Sequence, residues 1–143
     1  MINPYATLMP VEFEIGIAEI DGQHSRLYAL MVRLRQSSDK KYGYAVNAIL
    51  AELDIEIRIH FAVEESLMRL LTFPEIAAHV TEHRRLAHQL GQFRQRAQDL
   101  DVSEDLATFI SLWLKDHIDT FDRQFVAHFL SHGVDAQCVN KAE

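Results

Sequence analysis

"VNAILAELDIEIRIHFAVEESLM", Val46 to Met68, carries the apolar rhythm that decides the fold class. Val46, Ile49, Leu50, Leu53 and Ile57 recur at intervals of three and four, so they line one face of a helix turned toward a core. That face continues through His60, Phe61 and Glu64 to Met68 and Leu71. A histidine and a carboxylate, one turn apart, thus stand where the pattern calls for leucine. An unpaired carboxylate buried there costs on the order of several kcal/mol. His60 and Glu64 therefore need polar partners from other parts of the chain.

Working outward, the same periodicity predicts three more helices. The first starts near Asp21, a favourable N-cap residue, and runs to about Ser37 with His24, Leu27, Met31 and Leu34 on one face. The long second helix spans about Tyr44 to Leu71 and is broken by "TFPE", because Pro74 can begin a helix but not continue one. The third runs from about Pro74 to Asp99 and turns Ile76, His79, Val80, His83, Leu86, Leu90, Phe93 and Ala97 inward. Ser103, followed by Glu104 and Asp105, marks the fourth start. That helix carries Leu106, Ile110, Trp113, His117, Phe121 and Phe125 and stops before Gly133. Four helices joined by short connectors predict an all-α, up-down-up-down four-helix bundle. We expect one domain over residues 1–143, with an irregular arm (1–18), the bundle (21–131) and a C-terminal tail (132–143).

Composition narrows the function. A chain of 143 residues with 48% hydrophobic content can build one full core. A net charge of −7 disfavours nucleic acid, whose phosphates require a basic face. The one cysteine, Cys138, rules out an internal disulfide framework and fits a reducing compartment. No signal peptide and no run of about 18 apolar residues is visible, so no membrane insertion is expected and the cytoplasm is the expected location.

The eight histidines carry the rest. The residues interrupting apolar faces are His24 near the start of helix one, His60 and Glu64 late in helix two, His79 and His83 early in helix three, and His117 and Asp122 late in helix four. In an up-down-up-down bundle these four places share one end, so the seven side chains converge on one layer. His60/Glu64 and His79/His83 are i,i+4 pairs, which share a helix face. His117/Asp122 is i,i+5, which an ideal helix at about 100° per residue would splay by about 140°. A regular helix would offer Phe121 instead, so the spacing predicts a distorted turn of the π type.

A metal satisfies imidazoles and carboxylates gathered in this way; without cysteine ligands, iron, manganese or zinc fits best. Five nitrogens and two bridging carboxylates make nine bonds to protein, and a bridging oxo or hydroxo group adds two. Two octahedral ions offer twelve positions, which leaves one open for a small molecule. His88, the i,i+4 pair His128/His132 and Glu65 fall outside this set. We expect His128 and His132 to be solvated residues near a helix end and Glu65 to face water.

The motifs "DGQH" (Asp21–His24), "HFAVEESLM" (His60–Met68), "HVTEH" (His79–His83) and "WLKDHIDTFD" (Trp113–Asp122) resemble the hemerythrins, specifically the bacterial single-domain kind, over roughly residues 13–130. The resemblance implies two iron ions with a bridging oxo or hydroxo group that bind O₂ reversibly. It implies that His79, His83 and His117 complete one iron, that His24 and His60 hold the other, and that Glu64 and Asp122 bridge them. It also implies an O₂ pocket walled by Phe61, Trp113, Leu114 and Ile118. Two positions depart from the family pattern: Met9 stands near a common tryptophan, and Phe73-Pro74 replaces Tyr-Pro.

The resemblance favours a non-enzymatic carrier for O₂ storage, delivery or sensing. The competing reading is a di-iron enzyme acting on peroxide, nitric oxide or ferrous iron. Carboxylate-rich bundles that activate O₂ use Glu-x-x-His on two helices, and no glutamate here is followed by histidine three residues later. A third reading, an interaction module built on a structural metal, needs no open position. We expect a free-standing carrier rather than a piece of a signalling protein.

Overall fold

The computed structural model describes residues 9–36 and 43–132. The connector expected over 37–42, the stop at Gly133 and the tail with Cys138 lie outside the described residues. A short 3₁₀ turn, Val11–Phe13, leads into α1 (Ala18–Gln36), α2 (Gly43–Leu70), α3 (Ile76–Arg96) and α4 (Ser103–Asp116). A π-helical turn, His117–Asp122, joins α4 to α5 (Arg123–Ser131), so the last two helices are one rod with a distortion inside it. The architecture is a four-helix bundle.

Two predicted helix starts move, and a third keeps its place with a different cap. Helix α1 begins at Ala18, three residues before Asp21, so Asp21 is not its N-cap. The Asp21 carboxylate instead accepts the N–H groups of Ile15 (2.7 Å) and Gly16 (3.1 Å), tying the arm back onto the first turn. Gly16 has a φ of 92°, which a side-chain-bearing residue rarely adopts, and so lets the chain fold back there. Helix α3 starts at Ile76 rather than Pro74 and ends at Arg96, with 97–99 in turns. At the start of α4 the Asp101 carboxylate takes both the Ser103 N–H (3.0 Å) and its hydroxyl (2.7 Å), so Ser103 is capped rather than capping.

Helix α2 ends in a Schellman-type closure. Phe73 N–H donates to the Met68 carbonyl (2.9 Å) and Thr72 N–H to that of Arg69 (3.2 Å), with Thr72 at a φ of 53° where glycine is usual. His128 reaches across from α5 and its Nε2 donates to the Leu71 carbonyl (2.8 Å). The expectation of a solvated His128 is thereby corrected: the free carbonyl at the end of α2 draws it in, and it is half-buried beside Phe73. His132 is exposed, as expected, and His88 is exposed too.

Helix α1 packs against α2 and α4, and α2 against α3. Ring contact between Phe93 and Phe109 (5.2 Å) and the Arg96–Asp105 pair (3.0 Å) join α3 to α4. Leu27, Leu34, Leu53, Leu86, Leu106 and Phe125 are fully buried in the shared core. Among the described residues no helix is long and apolar enough to cross a membrane.

Candidate metal centre

Among the described residues eleven polar or charged ones are buried, and seven of them are those predicted to converge: His24, His60, Glu64, His79, His83, His117 and Asp122. The structure brings all seven into one layer, with relative exposures of 0–2%. The π turn is present over the predicted residues, and it swings Asp122 inward while Phe121 is left half-buried.

All five histidines point Nε2 at a common centre. Glu64 Oε2 lies 2.9 Å from His79, 3.0 Å from His83 and 3.3 Å from His117, while its Oε1 lies 3.2 Å from His60. Asp122 divides its oxygens in the same way: Oδ1 faces His117 (3.0 Å) and His79 (3.4 Å), and Oδ2 faces His24 (3.1 Å). Each carboxylate thus presents one oxygen to the set His79/His83/His117 and the other to the set His24/His60. Nε2 of His24 and Nε2 of His60 are themselves 3.3 Å apart.

Those separations test whether metal fits. Adjacent ligands on an ion with bonds of about 2.1 Å stand about 3 Å apart. The contacts above fall between 2.9 and 3.4 Å. Glu64 Oε1 and both Asp122 oxygens are buried without a hydrogen-bond donor despite these short approaches, so the lone pairs face a shared centre rather than aligned N–H groups. Among the described residues two groups of four could each hold a metal ion, their ligand atoms all within 4.8 Å of one another: Glu64, His79, His83 and His117, and His24, His60, Glu64 and Asp122. Glu64 belongs to both. Asp122 belongs to the second, but its Oδ1 contacts extend it to the first.

Without metal the cluster must divide its own charge. Burial pushes His60 down to about 3, aided by the neighbouring His24 and His117 against the pull of Glu64 and Asp122. Burial also works against a charged His117, but Asp122 and Glu64 outweigh it and raise the ring to about 10. His79 rises for the same reason: Asp122 and Glu64, 3.4 and 2.9 Å from its Nε2, outweigh its burial. Burial would lift Glu64, yet His60 and His117 hold it well below its ordinary value. Asp122 is likewise held low by His117 and His24, against its burial and the nearby Glu64.

Aromatic and apolar residues cover part of the layer. Phe61 stacks on His83 (3.8 Å between centroids), and Trp113 stacks on His117 (4.9 Å). Leu114 and Ile118 are buried on the same rod.

Two polar residues outside the predicted seven also touch the cluster, Gln23, which the sequence reading passed over, and Glu65, which it placed in water. Gln23 Oε1 accepts from His60 Nδ1 at 2.8 Å, and Glu65 Oε2 lies 3.1 Å from His83 Nδ1. Glu65 therefore does not face water as expected; the helix turns it toward α3, where the His83 ring offers it a donor. The available signal was position. Each ring that turns Nε2 inward leaves Nδ1 needing an acceptor, and both residues sit directly beside a member of the cluster in the chain.

Comparison with known proteins agrees with this geometry. The chain is 31% identical over 122 residues to a bacteriohemerythrin of Stenotrophomonas maltophilia, covering 85% of this chain and 80% of that protein. It is 27% identical over 125 residues to a bacteriohemerythrin of Ralstonia nicotianae, covering 86% and 88%. One from Pseudomonas aeruginosa is 30% identical over 116 residues, covering 80% and 76%. The model of the hemerythrin HHE cation-binding domain matches residues 15–129, most of the chain and every member of the buried cluster, and the chain belongs to the hemerythrin family.

Proposed function

We propose that this chain binds O₂ reversibly at a non-heme di-iron centre, as a carrier rather than an enzyme. His79, His83 and His117 hold one iron, His24 and His60 the other, and Glu64 and Asp122 bridge them. The observation that carries the reading is the division of both carboxylates, each with one oxygen toward each set of imidazoles at 2.9–3.4 Å. A di-iron pair with a bridging oxo or hydroxo group supplies two electrons and one open position to an entering small molecule.

What this chain's own residues contribute is positioning and exclusion. The packed helices α1, α2 and α3 hold the donors in one layer, and His117 and Asp122 join them from the π turn. Phe61, Trp113, Leu114 and Ile118 form the apolar wall of the O₂ pocket and keep water and protons from the bound ligand, which slows irreversible oxidation. Support for a pocket role comes from Phe61 and Trp113 lying flat on two of the candidate ligand rings. The name shared by the relatives, bacteriohemerythrin, supports O₂ as the ligand.

The test is the optical spectrum of anaerobically reduced, iron-loaded protein on exposure to air. Charge-transfer bands that appear with air and vanish under argon over repeated cycles are expected. Irreversible oxidation with turnover of added peroxide or nitric oxide would replace the carrier reading with the enzyme one.

A further inference from the structure

What stands behind each imidazole differs between the two halves of the site. Behind His83 lies the Glu65 carboxylate, 3.1 Å from Nδ1; behind His60 lies the Gln23 amide oxygen, 2.8 Å from Nδ1. Nδ1 of His24, His79 and His117 is buried without a hydrogen-bond partner among the described residues. The set of three histidines thus contains one ring backed by a full negative charge, and the set of two contains one backed by a neutral amide. The second Glu65 oxygen, Oε1, is 3.5 Å from Arg69 Nη2, and that side chain is 64% exposed. Water screens an exposed guanidinium, so Arg69 orients Glu65 while offsetting little of its charge at the ring.

A carboxylate accepting Nδ1–H draws an imidazole toward imidazolate and makes Nε2 the stronger donor. Stronger, more anionic donation favours the metal ion of higher charge. Resting on the di-iron reading above, we infer that Glu65 is a positioning residue that makes the His79/His83/His117 position prefer the ferric ion, whereas Gln23 leaves the His24/His60 position closer to ferrous preference. The bridging contacts of Glu64 and Asp122 serve both positions, so they do not create this asymmetry. Its consequence is directional. Glu65 sets the first electron to leave from the position that the ligand count fills completely, while the count leaves its vacancy beside His24 and His60.

The test is mediated spectroelectrochemistry of the iron-loaded full chain, in which Fe(II) gives one electron to the mediator and becomes Fe(III) while the Nδ1 proton stays on His83. Glu65→Gln keeps an acceptor and removes the charge. A tenfold loss of ferric over ferrous preference, the lower end of what losing such a partner costs, raises the first potential by about 59 mV. Arg69→Met removes the offsetting cation at an exposed site and lowers the potential by a smaller amount. Mössbauer spectra of half-oxidised protein should show the ferric ion at one position in the parent chain and spread over both in Glu65→Gln. Zinc titration of the metal-free variants, expected to give two ions per chain, controls for folding.

Potentials equal to the parent in both variants, with two irons bound, would overturn this inference and leave the di-iron reading intact. Should Glu65→Gln fail to load, Gln23→Glu, which puts a carboxylate behind His60, decides in its place: it should lower the potential, and an unchanged potential overturns the inference. A parent chain that takes up no iron pair overturns both.

Discussion

Replacing Glu64 by methionine, a linear side chain of similar length without a hard oxygen donor, should affect the metal-loaded and metal-free proteins very differently. In the proposed centre Glu64 supplies one bond to each ion. Structural four-ligand sites yield about 10–16 kcal/mol, or roughly 3 kcal/mol per bond, so losing two bonds removes on the order of 6 kcal/mol of metal-dependent stability. At about 3 °C per kcal/mol for a domain of this size, the rise in Tm on adding Fe(II) should shrink by between about 15 and 20 °C. The metal-free chain behaves otherwise. His117 keeps its Asp122 contact at 3.0 Å, but His79, His83 and His117 lose Glu64 as acceptor, which costs about 3–5 kcal/mol and leaves the increment on metal binding as the separate readout. Anaerobic urea and thermal unfolding with and without Fe(II), together with iron stoichiometry, measure both arms. Two irons retained with an undiminished Tm increment would refute Glu64 as a bridge.

Three other outcomes are expected. The stability of metal-free protein should peak near neutral pH: the contributions of His117 (raised to about 10) and His79 (raised) are complete below the ordinary histidine value of 6.5 and fade as pH rises through the folded values. Those of His60, lowered to about 3, and of Glu64 and Asp122, also lowered, fade as pH falls; metal loading should abolish the alkaline decline in urea titrations, because coordinated imidazoles are already neutral. Deleting Asp119, exposed in the π turn, should convert that turn to α-helix and bring His117 and Asp122 to i,i+4 spacing, with iron binding kept at two per chain; loss of iron would show that the π geometry itself is required. Gly91→Ala, inside α3 where an added Cβ meets nothing within 4 Å, should raise unfolding free energy by about 0.8–1 kcal/mol, and a fall would show that the position needs glycine.

What was legible in the sequence was whatever repeats or clashes with a repeat. The apolar face from Val46 to Met68 gives the long helix, and His60 and Glu64 stand out as interruptions of that face. Asp21 shows the limit of such reading. It has the composition of an N-cap, yet the fold-back at Gly16 presents Ile15 and Gly16 N–H groups to its carboxylate from one turn inside the helix. Glu65 and His128 were misread for a related reason. Helical angle turns Glu65 away from the core and a place near a helix end suggests a solvated His128, yet each is drawn in by a partner on another element, the His83 ring and the Leu71 carbonyl. Periodicity reports which way a side chain leaves its own helix. It carries nothing about the donors and acceptors that neighbouring helices leave unsatisfied.

The π turn shows packing and site chemistry competing over one register. Upstream, Leu106, Ile110, Leu114 and Ile118 are buried; downstream, Phe125 and Phe129 are buried. Phe125 follows Phe121 by four residues and Asp122 by three, so the downstream face fits either residue turned inward. Hydrophobic burial alone selects Phe121, since a phenyl ring gains on the order of 2 kcal/mol from leaving water while an unpaired buried carboxylate loses several. The chain takes the other register: Asp122 is fully buried, and Phe121 is left half-buried against the His79 and His117 rings. What offsets that cost is the charge contact of Asp122 with the His24, His79 and His117 rings at 3.0–3.4 Å, gathered from three different helices. The local distortion is therefore a consequence of the assembled cluster and not a cause of it. Replacing those histidines by apolar residues removes the reason for the π turn before it removes the bundle.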